Sequence, residues 1–269
     1  MNNDLNLYKK IEKILQCPKT GKKMEFDESN RCFHVLDDKL TYPIVEDIIE
    51  LLPEKLEENT DYYTSFADTY EYQITNPSSN HEEIWGFHND EIKQLTIDYI
   101  PTDFDGILLD IPVGTGIQTF EKYQTLPNAT IIVVDYSIKM ITQAKKRYRE
   151  SNIKNIIYIQ ADVGKLPFFY QTIDLLFTQN GIHAFPDKEK SIDEMARVLK
   201  QHGQLSGCFY VKGEREAADR AVDDFYTKIG AFRPPYFTKE ESIRKFSKYF
   251  KFIKTGNLKS IFHFNAIKS

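Results

Sequence analysis

The sequence predicts an α/β chain built on a doubly wound, mostly parallel sheet, and three observations predict it. Short apolar strands alternate with helical stretches from Gly106 to Val211, the rhythm of a parallel sheet covered on both faces. The run Ile107-Leu108-Leu109-Asp110-Ile111-Pro112-Val113-Gly114-Thr115-Gly116 reads as a buried strand, an acid at its end and a tight glycine turn into a helix. Two later apolar strands also end in acids, at Asp135 and Asp162. The crevice outside the strand ends is where an open α/β sheet binds its ligand.

Taken in order, residues 4–16 read as a helix and Cys17-Pro18-Lys19-Thr20-Gly21 as a turn. Strand-like runs follow at Lys23–Phe26, Arg31–Leu36 and Leu40–Tyr42, then an apolar stretch Ile48–Leu52 that stops at Pro53. Residues 1–54 are therefore expected as a small β-rich unit and 55–269 as the main domain. Glu54–Thr60 is charged and loop-like. Asp61–Tyr72 and Glu82–Tyr99 read as two helices split by the turn-rich Thr75-Asn76-Pro77-Ser78-Ser79-Asn80, giving a helical cap over 60–100.

The repeating unit comes next. Its strands are Gly106–Asp110, Thr130–Val134, Ile153–Gln160, Ile173–Phe177 and Gln204–Val211, with helices at Gln118–Tyr123, Ile138–Arg149 and Lys188–Leu199. Near 213–249 an insertion carries helices Glu214–Ile229 and Lys239–Tyr249 around the aromatic loop Ala231–Phe237. Phe250–Lys254 and Ser260–Ile267 close the chain as an antiparallel edge hairpin, which brings the sheet to seven strands.

At 269 residues the chain is long enough for one large α/β domain with an appendage. It holds no apolar run of about 18 residues, the length that spans a bilayer, and its first residues lack the apolar centre of a signal peptide. No membrane association is expected. Three cysteines make no disulfide framework, which fits a reducing cytoplasm. A net charge of −5 without a dense basic run argues against broad nucleic-acid binding. Composition leaves the oligomeric state open.

The glycine turn itself discriminates between ligands. A dinucleotide fingerprint wants G-x-G-x-x-G, and here the third glycine is replaced by Thr119. Asp110, just before the turn, would repel a pyrophosphate but attract an ammonium. S-adenosylmethionine carries an α-amino group and a sulfonium and no phosphate, so the charge pattern favours it over NAD. Asp135 can accept from both ribose hydroxyls, and Asp162 from the adenine amino group.

With those residues in view, the chain from about 60 to 269 resembles the class I S-adenosylmethionine-dependent methyltransferases. It is closest in pattern to the ubiquinone/menaquinone C-methyltransferase group. The matching segments are LLDIPVGTG, VVDYS with Met140, IQADVGKLPF, DLLFTQNGIHAFPD and the run Glu194–Leu205. Pro112 departs from the pattern, where the family has its first glycine. The resemblance implies a Rossmann-like methyltransferase fold with S-adenosyl-L-methionine as cofactor. Asp110, Gly114, Thr115 and Gly116 would lie at the methionine and ribose, Asp135 at the ribose hydroxyls, and Tyr136 and Met140 against adenine. Asp162 and Val163 would meet the adenine edge, with Gln179 and Asn180 toward the amino acid end.

The resemblance also implies a small-molecule acceptor, and Phe66-Ala67-Asp68-Thr69-Tyr70-Glu71 resembles the capping segment of such enzymes. Tyr62, Tyr63, Phe66, Tyr70, Trp85 and Tyr236, together with Phe232 and Phe237, could line an apolar acceptor pocket. His183, just past the fourth strand, is the candidate general base, against the alternative of a histidine that bonds the backbone or packs beside Phe185.

Residues 5–54 resemble the zinc-ribbon-like domain of the transfer-RNA methyltransferase activator family, through Ile14-Leu15-Gln16-Cys17-Pro18 and Thr41–Ile48. Zinc-bearing members use four cysteines. Here only Cys17 stands at such a position, with Thr20, Val35 and Asp38 at or near the others and Cys32 and His34 out of register. A metal-free unit is expected. Two other functions remain open: an RNA base methyltransferase, suggested by that ribbon, and a cofactor-binding or assembly protein without turnover.

Overall fold

The structure, a computed structural model, describes residues 2–52, 62–76 and 81–269. The loop expected at Glu54–Thr60, the boundary between 54 and 55, Asp61, and Pro77–Asn80 of the turn lie outside the described residues.

Four parallel strands form the centre: β5 (Ile107–Asp110), β6 (Thr130–Asp135), β7 (Ile156–Gln160) and β8 (Ile173–Gln179). Every residue of β6 and β7 is buried, as a strand covered on both faces requires. Side chains alternate between two cores. Leu108, Ile131, Val133 and Tyr158 enter one, while Leu109, Ile132, Val134 and Ile159 enter the other. The glycine turn after β5 runs into α5 (Phe120–Gln124). Helix α6 (Ile138–Glu150) starts where the Ser137 hydroxyl accepts from the Met140 amide. Helix α7 (Lys188–Val198) is capped in the same way by Asp187.

On one side the sheet continues through β9 (Leu199–Tyr210) to β11 (Ile261–Lys268) and β10 (Phe250–Leu258), the antiparallel edge hairpin that the sequence predicts. On the other side lies a departure from the expected seven strands and separate ribbon. Strands β1 (Met24–Asp27), β2 (Cys32–Val35), β3 (Thr41–Val45) and β4 (Ile48–Glu50) extend the same sheet, because β4 pairs parallel with β7. The result is one sheet of eleven strands, ordered β1-β2-β3-β4-β7-β6-β5-β8-β9-β11-β10.

The N-terminal segment shares its core with the main domain. Tyr8, Leu15, Phe33 and Leu51 belong to the cluster that contains Leu109, Ile132 and Ile159. At the seam Asp47 bridges Arg31 and Arg149, each at 2.6 Å. Pro43 sits inside β3, although the expected strand stopped before it. Ile44 donates toward β2 (2.9 Å to the Arg31 carbonyl), so the position without an N–H faces the other way, past the last β3–β4 pair.

Two helix expectations also change. The stretch 82–99 is broken into α3 (His81–Trp85) and α4 (Asn89–Ile97), because Gly86 takes a left-handed φ of 78°. The 214–229 helix is α8 (Glu216–Ala221) continued by a π turn at Val222–Tyr226. Ahead of these, α2 (Tyr62–Thr75) lies on α6. The Gln143 side chain donates to the Ala67 carbonyl at 2.9 Å, Thr64 bonds Ser137 at 2.9 Å, and Arg147 pairs with Glu71.

Candidate active site

A cavity of ≈ 400 Å³ opens where β5, β6, β7 and β8 end and α2 crosses above. Its wall gathers Asp110, Gly114, Thr115, Asp135, Tyr136, Met140, Asp162, Val163, Gln179 and Asn180 from four separate strand ends, with Tyr62, Tyr63 and Tyr70 from α2. Gly114 is left-handed at φ 56°, and a Cβ there would stand in open space. Gly116 is the exception among the expected ligand residues. It does not line the cavity. A Cβ on it would fall 2.8 Å from the Tyr148 ring, so this glycine serves close packing of the turn onto α6.

The acids are held differently from one another. One Asp135 oxygen accepts from the Gly114 amide and the other from the Ser137 amide, both at 2.9 Å. This carboxylate therefore ties the glycine turn to the start of α6 while facing the cavity. Asp110 is fully buried, and its carboxyl accepts from the Tyr123 hydroxyl at 2.8 Å and from Thr119 at 3.4 Å. Burial raises its pKa to about 7, against the lowering effect of those two hydroxyls. Burial, reinforced by Asp135, pushes the Tyr70 phenol up to about 12, so it remains a neutral donor. Asp162 caps a 3-10 turn by accepting from Gly164 at 2.8 Å.

Four buried polar atoms without a partner converge here. They are both amide atoms of Gln179, Oγ1 of Thr115 and Oε1 of Gln118, each on a cavity-lining residue. An unsatisfied buried group costs about 1–3 kcal/mol, and native folds carry few of them. Four of the nine such atoms among the described residues belong to this one cavity, which also exposes the Gly114 backbone, and they fit a site completed by a polar ligand. An amino acid tail, with an ammonium and a carboxylate, complements an amide that offers one donor and one acceptor.

Several expected residues lie elsewhere. His183 is buried, and its Nδ1 accepts from the Tyr210 amide at 3.2 Å while its ring packs 3.9 Å from that of Phe232. Burial, with Lys188 nearby, drives its pKa down to about 3. It is not among the cavity-lining residues, so the structure does not bring it to the site as a general base. Trp85 packs against Tyr210, Tyr226 and Phe232 in a core beneath α3. Tyr236 bonds Thr227 at 2.6 Å, Phe66 stacks on Tyr62, and Phe237 is buried in the main core. None of the four lines the cavity.

In their place the structure brings Pro112, Ala184-Phe185-Pro186, Gly230 and Arg233 to the wall. Pro112 and Ala184-Phe185-Pro186 stand inside segments the sequence singles out, without having been assigned to the site, and Arg233 lies in the aromatic loop Ala231–Phe237. In the N-terminal segment, Cys17 Sγ sits 3.3 Å from the Tyr42 hydroxyl. Among the described residues no three ligating side chains cluster, and no helix is long and apolar enough to cross a membrane.

Residues 108–203 match the family model described as methyltransferase domain. The chain is 28% identical over 170 residues to the ubiquinone/menaquinone biosynthesis C-methyltransferase of Saccharophagus degradans, covering 62% of this chain and 65% of the relative. It is 36% identical over 101 residues to the enzyme of the same description from Blochmanniella pennsylvanica, covering 37% and 40%. The chain thus spans less than two thirds of the length of these curated relatives. In fold it is similar to an S-adenosylmethionine-dependent methyltransferase from Aquifex aeolicus, with a TM-score of 0.53 at 15% identity over 74% of this chain and 98% of that one.

Proposed function

We propose that this chain is an S-adenosylmethionine-dependent methyltransferase acting on a small, aromatic or partly apolar acceptor. The observation that carries the reading is the set of unpaired Gln179, Thr115 and Gln118 atoms on a glycine-bounded wall flanked by three strand-end acids. In this reading Gln179 and Thr115 hold the amino acid tail, with Asn180 beside them and the Asp110 carboxyl behind the turn. The Asp135 carboxylate, which accepts from Gly114 and Ser137, also receives the ribose hydroxyls. Tyr136 and Met140 sandwich the adenine, and Asp162 and Val163 address its edge.

When bound, the cofactor supplies a methyl group on a sulfonium, already activated toward displacement. The chain's share is alignment and exclusion of water. Helix α2 covers the cavity with Tyr62, Tyr63 and Tyr70, and Phe185 and Pro186 supply apolar wall on the acceptor side. The described wall carries no histidine or lysine.

Calorimetry tests the reading directly. S-adenosylhomocysteine is expected to bind tightly and NAD not at all. Binding of NAD in place of S-adenosylhomocysteine refutes the cofactor. Retention on RNA at moderate salt, with a steep salt slope, would replace the small acceptor by a nucleic acid.

A further inference from the structure

Arg233 is the one cationic side chain among the described residues that line the cavity, and it is exposed to solvent. Its backbone is fixed on both sides. The Arg233 amide donates to the His183 carbonyl at 3.1 Å, and the Arg233 carbonyl accepts from Lys188 Nζ at 2.5 Å. The preceding Phe232 packs on the His183 ring, and Tyr63 from α2 donates to the Ala231 carbonyl at 3.1 Å. The loop is thus anchored to the cap and to the end of β8, yet the guanidinium has no acid or carbonyl partner among the described residues. The other seven of the chain's eight arginines each have one.

Lys188 adds to the imbalance. It is 5% exposed and spends its ammonium protons on the Phe185 and Arg233 carbonyls, so its charge stands behind the same wall. Burial and the nearby Arg233 lower its pKa to about 8. Lys188 and Arg233 are joined through the Arg233 carbonyl, whereas the acids of the cavity, Asp110, Asp135 and Asp162, lie at the strand ends and accept hydrogen bonds there.

We infer that the methyl acceptor is an organic acid, an apolar body carrying a carboxylate or similar oxyanion that Arg233 receives. The planar guanidinium suits bidentate capture of such a group, while Tyr62, Tyr63 and Phe185 cover the apolar part. This deepens the methyl-transfer reading and rests on it.

The test uses the full chain saturated with S-adenosylhomocysteine. Phenylacetate, cinnamate and indole-3-acetate are each titrated beside the corresponding primary amide, with binding read by saturation-transfer NMR and calorimetry. At least one acid is expected to bind about tenfold or more tighter than its amide, the scale of one charge-assisted contact. Arg233→Gln should abolish that preference without changing affinity for the amide, and Arg233→Lys should restore part of it. Acids that bind no better than amides in the wild type overturn the inference, and so does a preference that survives Arg233→Gln. A tenfold loss of S-adenosylhomocysteine affinity in Arg233→Gln also overturns it, by assigning the arginine to the cofactor's own carboxylate. Failure of the wild type to bind S-adenosylhomocysteine at all sinks the underlying reading instead, and is seen before any acid is added.

Discussion

Replacing Asp135 by asparagine changes a single oxygen to NH2 at the most heavily used carboxylate of the cavity. In the wild type its two oxygens accept from Gly114 and Ser137 at 2.9 Å each, and the proposed reading adds the two ribose hydroxyls to the same carboxylate. The amide keeps one accepting oxygen and turns a donor against one of the two backbone N–H groups. One hydroxyl-to-carboxylate bond is worth about 1.5–3 kcal/mol. The expected loss in S-adenosylhomocysteine affinity is therefore about 100-fold, or about 2.7 kcal/mol.

Because the substitution also loosens the glycine turn, a second perturbation separates contact from collapse. Calorimetry is done well below the melting midpoint, with S-adenosylhomocysteine and with its 2′-deoxy analogue. Removal of the 2′-hydroxyl should weaken binding to the wild type by about tenfold but cost Asp135→Asn much less, since interacting groups are non-additive in such a cycle. Affinity within threefold of wild type, or strictly additive losses, would refute the ribose assignment.

Two further outcomes follow from the same geometry. Gly181→Ala places a Cβ 2.2 Å from Pro112 Cδ and 2.9 Å from the Phe185 ring. An overlap of that kind costs about 1–3 kcal/mol, so the variant should melt lower and bind S-adenosylhomocysteine about tenfold more weakly; wild-type values for both would contradict the packing described.

The pH dependence of stability carries two opposed contributions. Asp110, raised from 3.8 to about 7, binds more protons folded than unfolded between those values, so it removes stability as pH rises from about 4 to 7. His183, lowered from 6.5 to about 3, binds more protons unfolded, so it adds stability as pH rises through the same range. In the wild type the two largely offset. Urea titrations at pH 5 and 7 should show Asp110→Asn gaining stability with pH relative to wild type, and His183→Phe losing it. Identical pH slopes in all three proteins would exclude both assignments.

Much of this architecture was legible before any coordinates. The apolar strands ending in Asp110, Asp135 and Asp162, and the turn at Gly114, are local patterns, and all four residues arrive at the cavity. They do so because a parallel sheet brings equivalent strand ends to one edge whatever the connecting segments are. The edge hairpin is readable for a similar reason, since its two strands are close in sequence, although Gly256 and Asn257 pair inside β10 and the turn falls at Lys259-Ser260. The break at Gly86 was harder to foresee. A single glycine inside a helical pattern can be tolerated or can end the helix, and here it takes a φ of 78° and ends it.

Chain chemistry alone determined the strand-end acids and the glycine turn, because each depends on neighbours a few residues apart. Tertiary structure alone decided which aromatic side chains face the cavity, that His183 is spent on the Tyr210 amide, and that Arg233 reaches the wall. It also decided that β4 would close onto β7 and merge the first fifty residues with the main sheet. Those outcomes turn on contacts between segments far apart in sequence, where the choice of buried face is made by whichever partner fills the space.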